Sequence, residues 1–168
     1  MLFSSKVFSV AAIAVLGLVG PASARTGFTW DEMEQIDRKW PQAKTTTTGL
    51  HYVVERPGKG ECPKSGDVVK VLYKGMFFDG RVFDQRLDAD KPFVFRLGRS
   101  EIIEGWEEGI AAMRVGEKRI LLVPYDLAYG VRGKPPVIPR QTSLVFEVEL
   151  LSFEPFNAAS EPKKGPNP

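Results

Sequence analysis

From residue 49 to residue 151 the apolar residues recur with a period of two, in short runs at 50–56, 68–74, 76–78, 81–85, 93–97, 118–123 and 144–151. That period sends alternate side chains to opposite faces of an extended chain, so each run reads as a strand. The last run is the clearest: Leu144, Phe146, Val148 and Leu150 fall on one face, and Glu147 and Glu149 on the other. Asp79-Gly80 separates two runs, and both residue types tolerate the positive φ that a tight hairpin demands. One stretch, 104–113, breaks the pattern with helical spacing and ends before Gly116. Short strands, short turns and a single helix predict an antiparallel sheet wrapped on one helix, an α+β fold. The chain has no internal repeat.

The segments outside this region read differently. At 1–24, Lys6 precedes an apolar stretch from Val7 to Val19, and Pro21 leads to Ala22-Ser23-Ala24. This is the pattern of a signal peptide cleaved after Ala24. The stretch is shorter than the roughly 20 residues that span a bilayer, although retention as an anchor is the competing reading. No cysteine follows it to carry a lipid, and the chain does not finish in a KDEL-like sequence. The expected destination is a bacterial periplasm or the secreted fraction. In 25–48, Thr29 and Glu32 stand at capping-box spacing, and Trp30, Met33, Ile36 and Trp40 follow at helical spacing up to Pro41. So short a helix is marginal alone and is expected to dock on its own domain. Thr45 to Thr48 reads as a linker, 49–153 as the domain, and the proline-containing 154–168 as a disordered tail.

The residue inventory narrows the chemistry. With one histidine and one cysteine among 168 residues, His51 and Cys62, the chain holds no internal disulfide and no four-ligand zinc site of the usual kind. His51 lies in a strand-like run and Cys62 in a turn, which argues against a nucleophile–base pair. A formal charge of +2 gives no basic face for nucleic acid. No metal and no cofactor are expected. Glu104, Glu107 and Glu108 cluster at a helix start, where carboxylates complement the dipole.

Several motifs then fall in register. They are Tyr73-Lys74-Gly75-Met76, the stretch from Asp79 to Asp84, Lys91-Pro92-Phe93 and Leu97-Gly98. Further on come the stretch from Ile102 to Gly109, Met113-Arg114-Val115-Gly116-Glu117, the stretch from Pro124 to Gly130, Ile138-Pro139 and the final strand. Over 49–151 this order and spacing closely resembles the FKBP-type peptidyl-prolyl cis/trans isomerases, and with the leader it resembles their exported bacterial type.

The resemblance implies a curved antiparallel β-sheet half-wrapped around one short α-helix, and an isomerase of X–Pro bonds with its pocket between the two. By that resemblance Tyr73, Phe83, Phe93, Ile102 and Ile103 would form walls, with Tyr129, Val137, Ile138 and Phe146 completing them. Trp106 would be the floor and Asp84 would sit at the rim. Glu101 would contribute to ligand binding, and the Ile103 N–H would bind a carbonyl. Phe95 and Val148 read as plain core. Asp84, beside an aromatic in a strand, needs a hydrogen-bond partner if buried, and Tyr73 or Tyr129 are candidates. Adjacent strand residues point oppositely, so Phe83 and Asp84 reaching one site requires a twist or bulge.

Two positions depart from the family. Ala89 stands where many relatives have an arginine near the site aspartate, and Lys134 where a histidine is common, beside Pro135-Pro136. Both bear on ligand affinity and substrate preference. The partners implied are proline-containing unfolded exported polypeptides, with rapamycin- and tacrolimus-like macrolides as inhibitors. A monomer is expected, because the segment before the domain is too short for the long dimerisation helix of some relatives. A proline-binding chaperone or scaffold with little turnover is the alternative reading.

Overall fold

The computed structural model describes residues 27–155. The expected leader at 1–24 and the tail beyond Pro155 lie outside the described residues. Helix α1 (Trp30–Lys39) is followed by strands β1 (Lys44–Thr45), β2 (His51–Arg56), β3 (Val68–Met76), β4 (Val82–Arg86) and β5 (Phe93–Arg96). Then come helix α2 (Glu104–Ala111), strand β6 (Lys118–Val123), two short 3-10 turns at Tyr125–Leu127 and Gly130–Arg132, and strand β7 (Leu144–Glu154). All pairings are antiparallel, in one seven-stranded sheet of order β1-β2-β6-β7-β3-β4, with β5 also pairing β3.

The sheet is covered on both faces. Alternation in β7 turns Leu144, Phe146, Val148 and Leu150 inward, where they join Val69, Val71, Trp106, Ile110 and Leu121 in the larger core. Val145, Ile120 and Leu122 point the other way and meet Ile36 of α1 in a second, smaller core. β6 is therefore buried on both sides and loses the alternation expected of a half-exposed strand. α2 approaches β6 closely because glycine faces it: a Cβ on Gly109 would lie 2.7 Å from Leu121 Cδ2.

α1 begins as its sequence predicts. The Thr29 hydroxyl accepts from the Glu32 N–H at 3.2 Å, and the Glu32 carboxylate accepts from the Thr29 N–H at 2.8 Å. Glu32 also accepts from the Ser143 hydroxyl, and Lys39 donates to the Phe78 carbonyl, so both ends of α1 are tied to the domain. Trp30, read as part of the apolar face, is instead 80% exposed at the first helical position.

Several element boundaries differ from the sequence reading, and the last strand runs to Glu154, into the expected tail. Runs 68–74 and 76–78 form one strand ending at Met76, because Gly75 keeps its place in both neighbouring ladders. The threonine-rich linker opens with β1, which pairs with β2 at Lys44↔Tyr52. α2 stops at Ala111 rather than residue 113.

Candidate functional site

Between the inner face of the sheet and α2 lies a cavity of about 210 Å³. Its floor is Trp106, 4% exposed, carried in the first turn of α2. Tyr73 and Phe146 stand edge-on to the indole at centroid distances of 5.0 and 5.2 Å, and Phe93 at 6.0 Å. Edge-to-face stacking of this kind suits the ring quadrupoles and fixes their relative orientation. Phe83 closes the aromatic ring of the site, edge-on to Phe146 at 5.7 Å.

A bulge puts Phe83 there. Gly75 pairs with Asp84 and Met76 with Val82, so Phe83 is an extra residue in β4 with no partner on β3. It turns to the same side as Asp84, as the sequence argument required. Gly75 makes room for it: a Cβ there would stand 2.7 Å from Phe83 Cζ and 3.0 Å from Phe146 Cε1. The pattern of strands carried no sign of this role, because the two rings that need the space come from β4 and β7.

The polar groups gather at the rim. The Tyr73 hydroxyl donates to Asp84 Oδ2 at 2.7 Å, which settles the choice between the two tyrosines. Asp84 is exposed at the rim, so the burial that would have made a partner obligatory is not met. Burial pushes the Tyr73 phenol well above the ordinary tyrosine value, and the bond to Asp84 adds to the shift. Tyr129 is raised too, by burial first and then by the Asp84 charge. Both phenols are neutral around pH 7.

The lining also includes Glu101, Ile102, Ile103 and Lys134. Lys134 holds its ammonium 5.5 Å from the centre of the Tyr129 ring. Sequence reasoning met Lys134 as a departure from the family and did not place it in the wall. Ile103 caps α2, and its carbonyl accepts from the Trp106 and Glu107 N–H groups. Among the described residues its own N–H has no acceptor, and Ile103 is one of the residues that line the cavity.

Two expected wall residues are not in this lining. Val137 is 52% exposed, and Ile138 is 2% exposed within the main core; neither lines the cavity. Ile138 exchanges backbone hydrogen bonds with Lys134 at 2.9 Å in both directions, closing the loop that carries the lysine. Phe95 and Val148 are buried core, as read. His51 packs edge-on to Phe28, outside the cavity lining. Glu107 does more than complement a dipole: it accepts from the Gly98 and Ser100 N–H groups.

Aromatic walls, a buried indole floor and a lone N–H suit a small apolar ring next to a carbonyl. The arrangement offers an apolar shape with a few hydrogen-bond donors rather than a nucleophile.

The chain is similar to known proteins in sequence and in fold. The family model described as FKBP-type peptidyl-prolyl cis-trans isomerase matches residues 59–151. FK506-binding protein 1A of Aspergillus fumigatus is 44% identical over 106 residues, covering 62% of this chain and 95% of that protein. FK506-binding protein 4 of Dictyostelium discoideum is 45% identical over 123 residues, 72% of this chain, which spans only 33% of that longer protein. The crystal structure of FkpA from Escherichia coli superposes with a TM-score of 0.67 at 43% identity, over 74% of this chain and 57% of that one.

Proposed function

Since the chain belongs to the FKBP-type peptidyl-prolyl cis-trans isomerases, we propose that it accelerates X–Pro isomerisation in exported proteins by holding the proline ring on Trp106. The observation that carries this reading is the aromatic cavity itself, with Tyr73, Phe83, Phe93 and Phe146 around a buried indole. An X–Pro bond rotates over a barrier of about 18–20 kcal/mol without any covalent bond breaking. Resonance gives the planar amide its charge separation, and twisting removes it. An apolar enclosure solvates the planar form poorly and so favours the twisted one. The Ile103 N–H receives the carbonyl of the bound segment. Acceleration by about a thousandfold requires only about 4 kcal/mol of preferential binding to the twisted state.

Export follows from the leader: cleavage after Ala24 releases a periplasmic or secreted protein that acts as a monomer on unfolded clients. Macrolides of the rapamycin and tacrolimus type occupy the same cavity. Two of the relatives are named for FK506 binding, which supports this part of the reading. The test is isomerisation of an X–Pro peptide by the secreted protein, read by exchange spectroscopy, with and without FK506. Competitive inhibition is expected, and N-terminal sequencing of the same material is expected to begin at Arg25. A folded protein without turnover defeats the enzyme reading, and an intact Met1 defeats the cleavage.

A further inference from the structure

Three of the four rings around the indole are placed by the sheet ladders. Tyr73 pairs with Val148, Phe146 with Gly75 and Phe93 with Val71. Phe83 has no such partner, because the bulge leaves it between the Gly75–Asp84 and Met76–Val82 pairs. β4 also ends the strand order, so among the described residues no further strand supports it from outside. A residue left unpaired at a bulge takes its side-chain direction from packing rather than from the pleat.

Phe77 supplies that packing. Its ring centre is 5.2 Å from that of Phe83, with the planes tilted by 47°, yet Phe77 is not part of the cavity lining. Phe77 is itself firmly held. Its N–H donates to the Arg81 carbonyl and its carbonyl accepts from the Gly80 N–H, both at 2.9 Å, which closes the hairpin between β3 and β4. The Arg81 guanidinium lies 4.9 Å from the centre of the Phe77 ring, a cation over an aromatic face, and is tied to Asp79 Oδ2 at 2.7 Å.

The next residue anchors the same hairpin from the other side. Phe77 packs on the larger core, whereas Phe78 is 8% exposed within the smaller one, as alternation in an extended chain requires. Trp40 and Phe28 stand edge-on to Phe78 at 6.3 and 5.8 Å, and the Lys39 ammonium donates to its carbonyl at 3.0 Å. The end of α1 thus clasps Phe78 while Phe77 backs the Phe83 wall.

We propose that Phe77 is a positioning residue of the proline site, fixing where the Phe83 wall stands from a hairpin that α1 clamps on the opposite face. The proposal rests on the isomerase reading and gives α1 a part in it, through two consecutive phenylalanines that face different layers. Phe77 touches no substrate; it acts through Phe83.

The experiment measures kcat/KM and peptide affinity with an X–Pro peptide, together with the ring-proton shifts of Phe83 in protein carrying labelled phenylalanine. Phe77→Ala is expected to lower kcat/KM by about fivefold, the loss of a displaced wall rather than a missing one, and to move the Phe83 shifts. Phe77→Leu restores apolar bulk and is expected to recover most of both. Phe78→Ala, which frees the hairpin from α1, is expected to move both in the same direction by a smaller amount. Val69→Ala is the control for stability alone: Val69 is fully buried at the far end of β3 and does not line the cavity. It is expected to lower the melting temperature while kcat/KM and the Phe83 shifts stay parental. Should Phe77→Ala fail to fold, Phe77→Val carries the same comparison. Parental kcat/KM and parental Phe83 shifts in Phe77→Ala overturn the proposal, as does a loss that Val69→Ala reproduces. A parental Phe78→Ala beside a weakened Phe77→Ala overturns the share given to α1. A parent without turnover removes the isomerase reading, and peptide affinity with the Phe83 shifts still decides the positioning.

Discussion

The Tyr73 hydroxyl reaches across the β3–β4 ladder to donate a 2.7 Å hydrogen bond to Asp84 Oδ2. The donor is buried, with Tyr73 only 8% exposed, whereas the acceptor is exposed. The bond thus anchors an exposed carboxylate at the rim of an aromatic cavity and orients the phenol that forms one of its walls.

Tyr73→Phe keeps the wall and removes the donor. Asp84 regains water, so the expected loss of stability is about 1 kcal/mol, that of a single hydrogen bond. The pH dependence is more telling. The folded protein holds the Tyr73 phenol neutral well above its ordinary value of 10.0, through burial and the bond to Asp84. Below pH 10 the unfolded phenol is neutral as well, and the contribution is constant. Above it the unfolded chain ionises first, and stability falls as pH rises. Thermal unfolding from pH 8 to 11 is expected to show a steeper alkaline decline in the parent than in Tyr73→Phe. Parallel curves would mean that this phenol is not held neutral.

Gly75→Ala tests the room behind the bulge. The added methyl would lie within 3.0 Å of both Phe83 and Phe146, and both rings line the cavity. Overpacking of this kind costs about 1–3 kcal/mol. A fall in melting temperature is expected together with weaker binding of a proline peptide, because the rings can yield only by moving into the cavity or straining the sheet. A variant with parental stability and parental affinity would show that the rings relax without consequence.

The Glu117–Arg119 pair is the buried ion pair of the domain, with side chains 6% and 7% exposed at 2.5 Å. Arg119 also donates to the carbonyls of Gly109 and Ala112 at the end of α2, and its guanidinium lies 4.6 Å from the centre of the Tyr52 ring. It serves α2 as a C-terminal cap from outside, since α2 has no basic residue in its own last turn. Glu117→Leu strands the cation and is expected to cost about 3–5 kcal/mol in a denaturant titration. The double variant Glu117→Leu, Arg119→Met is expected to recover much of that loss. Equal losses in single and double variants would place the stabilisation in the arginine's bonds to α2 and not in the ion pair.

How far the sequence could be read depended on whether the deciding contact was local. The capping box of Thr29 and Glu32 and the alternation of β7 are written within a few residues, and the structure reproduces both. The need for a bulge at Phe83 and Asp84 also followed from local geometry once the resemblance had put both at one site. Gly75 was opaque because its reason lies on two other strands. The role of Arg119 was likewise not legible within its own strand, because its acceptors lie at the end of α2. Val137 and Ile138 were carried over by resemblance, and the closed loop between Lys134 and Ile138 sets one in solvent and the other in the core.

The sharpest prediction concerns Phe83 and Asp84, neighbours in sequence that share a site only through the bulge. Phe83 is half-buried and stands on Phe146, so Phe83→Ala removes a wall of the cavity. Its stability cost is expected to lie below the roughly 3–5 kcal/mol of a fully buried phenylalanine. Its effect on kcat/KM is expected to be larger, about tenfold or more, because the twisted amide loses apolar enclosure on one side. Asp84→Leu behaves differently. With the carboxylate exposed, no buried charge is relieved, and the variant loses the bond from Tyr73. It is therefore expected to be no more stable than the parent, against the gain that a buried, poorly paired carboxylate would have released. Its kcat/KM is expected to fall less than that of Phe83→Ala, since the aromatic enclosure survives. Melting temperature and kcat/KM measured on both variants, with leucine or phenylalanine before the proline, decide the matter. A stabilised Asp84→Leu would show that the carboxylate is strained where it sits. Parental kcat/KM in both folded variants would move catalysis out of this cavity.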